Sequence, residues 1–150
     1  MGKVEQFLEH AAAVEQGLLD IGRASKASGV SVKMTRHYES IGVLKKVART
    51  FANYRVYTGN DVHTLRFIKR ARTLGFPVED IRELLSLWQN KSRPSASVKK
   101  IARGHMDGLR RRVAELQSML DTLDHLVRHC HGDHRPDCPI LEDLAGSRAA

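Results

Sequence analysis

Eight apolar residues, Ala102, Met106, Leu109, Val113, Leu116, Leu120, Leu123 and Val127, recur at alternating steps of four and three without a break. Such spacing puts every side chain on one narrow stripe of an α-helix, the pattern of a coiled-coil seam. Arg110, Arg111, Arg112, Glu115 and Asp121 flank the stripe and keep the remaining faces polar. A helix of about 33 residues is roughly 50 Å long at 1.5 Å per residue, more than a domain of this size can cover. The stripe therefore needs a second apolar surface, and a homodimer is expected to supply it. A helix packed along its own domain is the alternative.

The charge is as uneven as the apolar pattern. Residues 21–72 hold twelve Lys and Arg against two acids, Glu39 and Asp61, on a chain whose whole net charge is +8. A local excess of that kind reads as a polyanion-binding surface, because phosphate contacts and counterion release give sequence-independent affinity for double-stranded DNA. Nothing approaches 18 consecutive apolar residues, and the N-terminus has no secretion-signal pattern, so no membrane partner and a cytoplasmic location are expected.

Within the basic window, Ile21, Ala24, Ala27 and Val30 fall at helical steps interrupted by Ser28-Gly29-Val30-Ser31. Gly29 can take the positive φ of a tight turn, which predicts a helix, a turn and a second helix over about 31–40. On that second helix Lys33, Arg36 and His37 stand at i, i+3 and i+4, one face able to meet a major groove. Residues 47–58 carry β-branched and aromatic residues without helical period and read as a two-stranded wing. Its Tyr54, Arg55 and Tyr57 are residue types that hold phosphate oxygens. Further helices are predicted over 61–74 and 77–90, split by Gly75-Phe76-Pro77.

Past Arg128 the chain reads His129-Cys130-His131-Gly132-Asp133-His134-Arg135-Pro136-Asp137-Cys138-Pro139, a loop before a last short helix. Cys130 and Cys138 are the only cysteines in 150 residues, too few for a disulfide scaffold. Seven residues between them allow the loop to bring both sulfurs to one ion. Thiolates are soft ligands that favour Cu(I), with Ag(I) or Au(I) as substitutes. Cys138 precedes a helix start, where the dipole favours the thiolate. His129, His131 and His134 leave open a mixed nitrogen and sulfur site for Zn(II), and a redox pair is a further alternative.

The stretches VSVKMTRHYESIGVL, NYRVYT, FIKRARTLGF and VEDIRELLSLW together resemble the MerR family of winged-helix regulators, over about residues 20–146. The resemblance implies that Arg36 and Tyr38 belong to a recognition helix, Tyr54, Arg55 and Tyr57 to the wing, and Arg72 to a further backbone contact. His37 stands where relatives have an aromatic residue. The loop ending Asp137-Cys138-Pro139-Ile140-Leu141 is similar to the copper-efflux regulator branch, in which Ser replaces the third Cys of divalent-metal sensors; here that position is Ser95. Ser95 also suits a helix N-cap. The resemblance further implies a dimer that sits on an overlong promoter spacer and, when metal-loaded, distorts the DNA so that RNA polymerase can align both promoter elements.

The expected fold is mainly α: a winged helix-turn-helix DNA-binding domain, a long coiled-coil dimerisation helix and a C-terminal metal-binding loop. The expected division is an extension of unassigned role at 1–19, a DNA-binding region at 20–90, a dimerisation helix at 91–128 and a metal loop with a short helix at 129–150. A metal buffer without DNA function would leave the basic window and wing aromatics unexplained. An enzyme using Cys130 with a histidine base lacks a third orienting group, so no catalysis is expected.

Overall fold

The computed structural model describes residues 17–133 and 136–146; the expectations for residues 1–16 and for His134 lie outside the described residues. In chain order the elements are α1 (Ile21–Ser28), α2 (Val32–Ser40), β1 (Ala48–Arg49), β2 (Arg55–Val56), α3 (Gly59–Thr73), α4 (Val78–Gln89), α5 (Ser95–His129) and α6 (Pro139–Leu144). The expected mainly α winged helix-turn-helix followed by a long helix is the architecture observed. Two compact units divide it, the first ending at Val98 and the second beginning at Lys99.

Local chemistry fixes the ends of the first helices. Asp20 Oδ1 accepts from the Arg23 amide at 2.8 Å and starts α1. Gly29 closes α1 at φ 74°, a left-handed conformation that a side chain would strain. Ser31 Oγ then accepts from the Met34 amide at 3.1 Å and opens α2. At α3, Thr58 and Asp61 form a reciprocal capping box, with the Asp61 amide donating to Thr58 Oγ1 at 3.1 Å and the Thr58 amide to Asp61 Oδ2 at 2.8 Å.

The wing is an antiparallel pair in which Ala48 faces Val56 and Arg49 faces Arg55. Its tip turns through Asn53 at φ 66°, a region Asn tolerates better than most residues. The Thr50 amide donates to the Tyr54 carbonyl at 2.8 Å, and the Asn53 amide to the Thr50 carbonyl at 2.9 Å. Leu19, read from sequence as the end of the extension, exchanges two backbone hydrogen bonds with Tyr57, at 2.8 and 2.7 Å, and packs against the core.

In the first unit α1 packs on α2 and α3, and α3 on α4. Leu65, Ile68 and Ile81 are wholly buried where these helices meet. Each such side chain contributes about 1.5–3 kcal/mol by leaving water. In the second unit Leu126 is the one buried residue among those described. Met106, Leu109, Val113, Leu116, Leu120, Leu123 and Val127 are 37–66% exposed along α5, and Ala102 is partly exposed.

Candidate nucleic-acid interface and metal loop

Helix α2 sorts its residues by face. Lys33, Arg36 and His37 are exposed, while Thr35 and Tyr38 are buried. Tyr38 stands two residues beyond Arg36, about 200° around the helix, and so points into the core rather than out with the basic pair. Its ring packs α2 against the core that presents Lys33 and Arg36, and it also lines the surface notch beside the start of that helix. The carbonyl of Tyr38 also accepts from the amides of Val43 and Leu44, at 2.9 and 3.0 Å, closing α2 into the turn before the wing.

The wing splits in the same way. Tyr54 is 68% exposed at the tip. Arg55 is half-buried and its Nε donates to Glu39 Oε2 at 3.1 Å, tying β2 to α2 across a carboxylate that is only 8% exposed. Tyr57 is fully buried and its hydroxyl has no hydrogen-bond partner among the described residues. Burial, with the Glu39 carboxylate second, pushes its pKa up from 10 to about 12, so the phenol is neutral at ordinary pH. In this structure Tyr57 anchors the wing by its backbone and ring.

Beside the start of α2 lies a notch of about 370 Å³ lined by Gly29, Ser31, Met34, Tyr38, Lys69 and Arg72, among others. Arg72 is exposed and donates from Nη1 to the Phe76 carbonyl at 3.0 Å. The Lys69 amine lies directly over Gly29. Sequence reasoning named Arg72 and missed Lys69, although their i, i+3 spacing on α3 puts both on one face. Arg66 is held elsewhere, donating from Nε and Nη2 to the Ala27 carbonyl at 3.0 and 2.8 Å.

In the second unit Cys130 follows the last residue of α5, its amide donating to the Val127 carbonyl at 3.2 Å. Cys138 occupies the position before Pro139 at the start of α6 and accepts from the Glu142 amide at 3.0 Å. Both are free and half-buried. Two sheltered thiols are a donor set suited to a soft ion. Among the described residues no three His, Cys, Asp or Glu side chains gather as a preformed metal site. Ser95 is the exposed first residue of α5, with Pro94 in the position before it.

A helix-turn-helix with a two-stranded wing, basic on its exposed face, defines a class of DNA-binding transcription regulators. Family comparison is specific within that class. The model described as MerR HTH family regulatory protein matches residues 19–88, and that described as MerR, DNA binding matches residues 62–126. The chain belongs to the MerR family, and is a transcription regulator rather than an enzyme. It is 58% identical over 127 residues to the HTH-type transcriptional regulator HmrR of Sinorhizobium medicae strain WSM419, covering 85% of this chain and 86% of that one. It is 56% identical over 131 residues to the heavy metal-dependent transcription regulator 2 of Rhizobium meliloti strain 1021, covering 87% and 89%. Among solved structures it is similar to the transcription regulator PbrR691 from Ralstonia metallidurans CH34 in complex with lead(II), with a TM-score of 0.74, 30% identity and coverage of 84% and 98%. No helix among the described residues is long and apolar enough to cross a membrane.

Proposed function

We propose that this chain is a cytoplasmic, metal-responsive activator that binds promoter DNA as a homodimer and is switched by Cu(I) held between Cys130 and Cys138. Residues 20–90 read DNA, 91–128 form the dimer and 129–150 hold the ion; residues 1–19 are assigned no role. Lys33 and Arg36 meet the duplex from α2, Tyr54 and Arg55 from the wing, and Arg72 from α3. Tyr38 and Tyr57 serve by holding those surfaces in place. The exposed stripe from Ala102 to Val127 is the dimer seam. Its target is a promoter of copper-efflux or detoxification genes with an overlong spacer, which the loaded dimer untwists at a cost of a few kcal/mol so that RNA polymerase can engage.

The observation that carries the choice of ion is the thiol set: two free, half-buried cysteines on one loop. The family resemblance adds to it that Ser95 stands where divalent-metal sensors carry a third. Two thiolates satisfy a soft monovalent ion, whereas Zn(II) in all-thiolate or mixed sites takes four ligands. The heavy-metal-dependent relatives support the metal class and leave the ion to this argument. The test is an anaerobic titration of the reduced protein with Cu(I), Ag(I) and Zn(II), following thiolate-to-metal absorption. One Cu(I) or Ag(I) per chain that excess Zn(II) fails to displace is the expected result. Displacement of Ag(I) from the thiols by Zn(II) would sink the assignment.

A further inference from the structure

Helix α5 ends in two histidines one turn apart, His125 and His129, both exposed. Their ring centroids lie 4.1 Å apart with the planes tilted by 39°. His129 Nδ1 is 2.7 Å from the His125 carbonyl oxygen. A carbonyl only accepts, so Nδ1 carries the proton in that bond, and in the neutral ring Nε2 is the nitrogen with a free lone pair. Histidines that ligate metals are held in this way, with the second ring nitrogen donating to a backbone carbonyl.

We propose that His125 and His129 form a two-imidazole site for a borderline divalent ion of the Ni(II) or Zn(II) type, separate from the thiol pair. Two histidines at i and i+4 present nitrogens to one point beside a helix, and imidazole suits Zn, Cu and Ni. The last turn of a helix has exposed carbonyls and favours positive charge. The neighbouring cation is already matched, since Arg128 Nε is 2.9 Å from Asp124 Oδ2. At 100° per residue His125 lies about 200° from Leu123, and His129 as far from Val127, so the pair sits on the side away from the apolar stripe. A second chain on that stripe leaves it open to solvent. Among the described residues no third acidic, Cys or His side chain joins it, so water completes the shell.

The site is tested in the full chain carrying Cys130→Ser and Cys138→Ser, which takes the thiols out of the measurement. Calorimetric titration with Ni(II) is expected to give one ion per chain at micromolar Kd. Adding either His125→Gln or His129→Gln should weaken uptake at least roughly tenfold. Both positions face solvent, and glutamine is a good helix former, so the helix survives the change. No Ni(II) uptake by the thiol-free protein, or uptake unchanged in both glutamine variants, would overturn the site. Neither outcome touches the Cu(I) assignment, which is read from the sulfur absorption of the unaltered chain.

Discussion

Tyr57 brings a hydroxyl into the core with no partner among the described residues, and the desolvation of that group opposes folding by about 1–3 kcal/mol. Tyr57→Phe keeps the ring, the packing and the backbone pairing with Leu19 while removing the orphaned atom. The variant is therefore expected to be as stable as the parent at neutral pH or more so, by up to about 1 kcal/mol in denaturant unfolding. Alkaline pH sharpens the contrast. The folded pKa of about 12 lies above the ordinary 10, so the folded state holds its proton where the unfolded chain has lost it. Stability is intact below pH 10 and falls as pH rises towards 12, by up to about 1.4 kcal/mol per unit. Melting curves from pH 9 to 11.5 should show that loss in the parent and a smaller one in Tyr57→Phe. Equal losses in both would mean that the phenol is not the group responsible.

Elements differed in how far their own residues declared them. The α1-turn-α2 unit was legible because Gly29 and the two oxygen caps, Asp20 and Ser31, act within a few residues of the bonds they make. Helix α3 begins at Gly59, behind the Thr58 capping box, rather than at 61 as expected; Thr58→Ala should cost about 1 kcal/mol in unfolding free energy without altering the wing. The wing was legible as a hairpin and not as a surface. Tyr54 and Tyr57 are chemically alike, and what separates them is the pairing of Tyr57 with Leu19, 38 residues earlier and outside any local pattern. The burial of Tyr38 was equally illegible, since an aromatic ring with a polar tip suits either a core or a groove. Lys69 escaped notice because nothing in sequence joins it to Gly29, which it meets only once α3 has packed on α1.

At the scale of the whole molecule, eight large apolar side chains on α5 remain open to water in the single chain, seven of them on the stripe, which soluble proteins rarely leave bare. Leu116→Lys puts an ammonium in the middle of that stripe, where a dimer would bury it without a partner charge. Sedimentation velocity should then report monomers, and an undisturbed dimer would reject this seam. The proposed DNA-reading head and the proposed metal loop belong to different units, so ion binding and DNA binding should separate under mutation. Cys130→Ser and Cys138→Ser are expected to retain promoter affinity within about threefold, because neither thiol lies among the basic residues proposed to meet phosphate. The decisive measurement is transcription in vitro from the bound promoter, with RNA polymerase and buffered Cu(I), comparing the parent chain with each serine variant. Induction by Cu(I) in the parent and none in either variant is the predicted result; induction that persists in both would contradict a switch built on these two sulfurs.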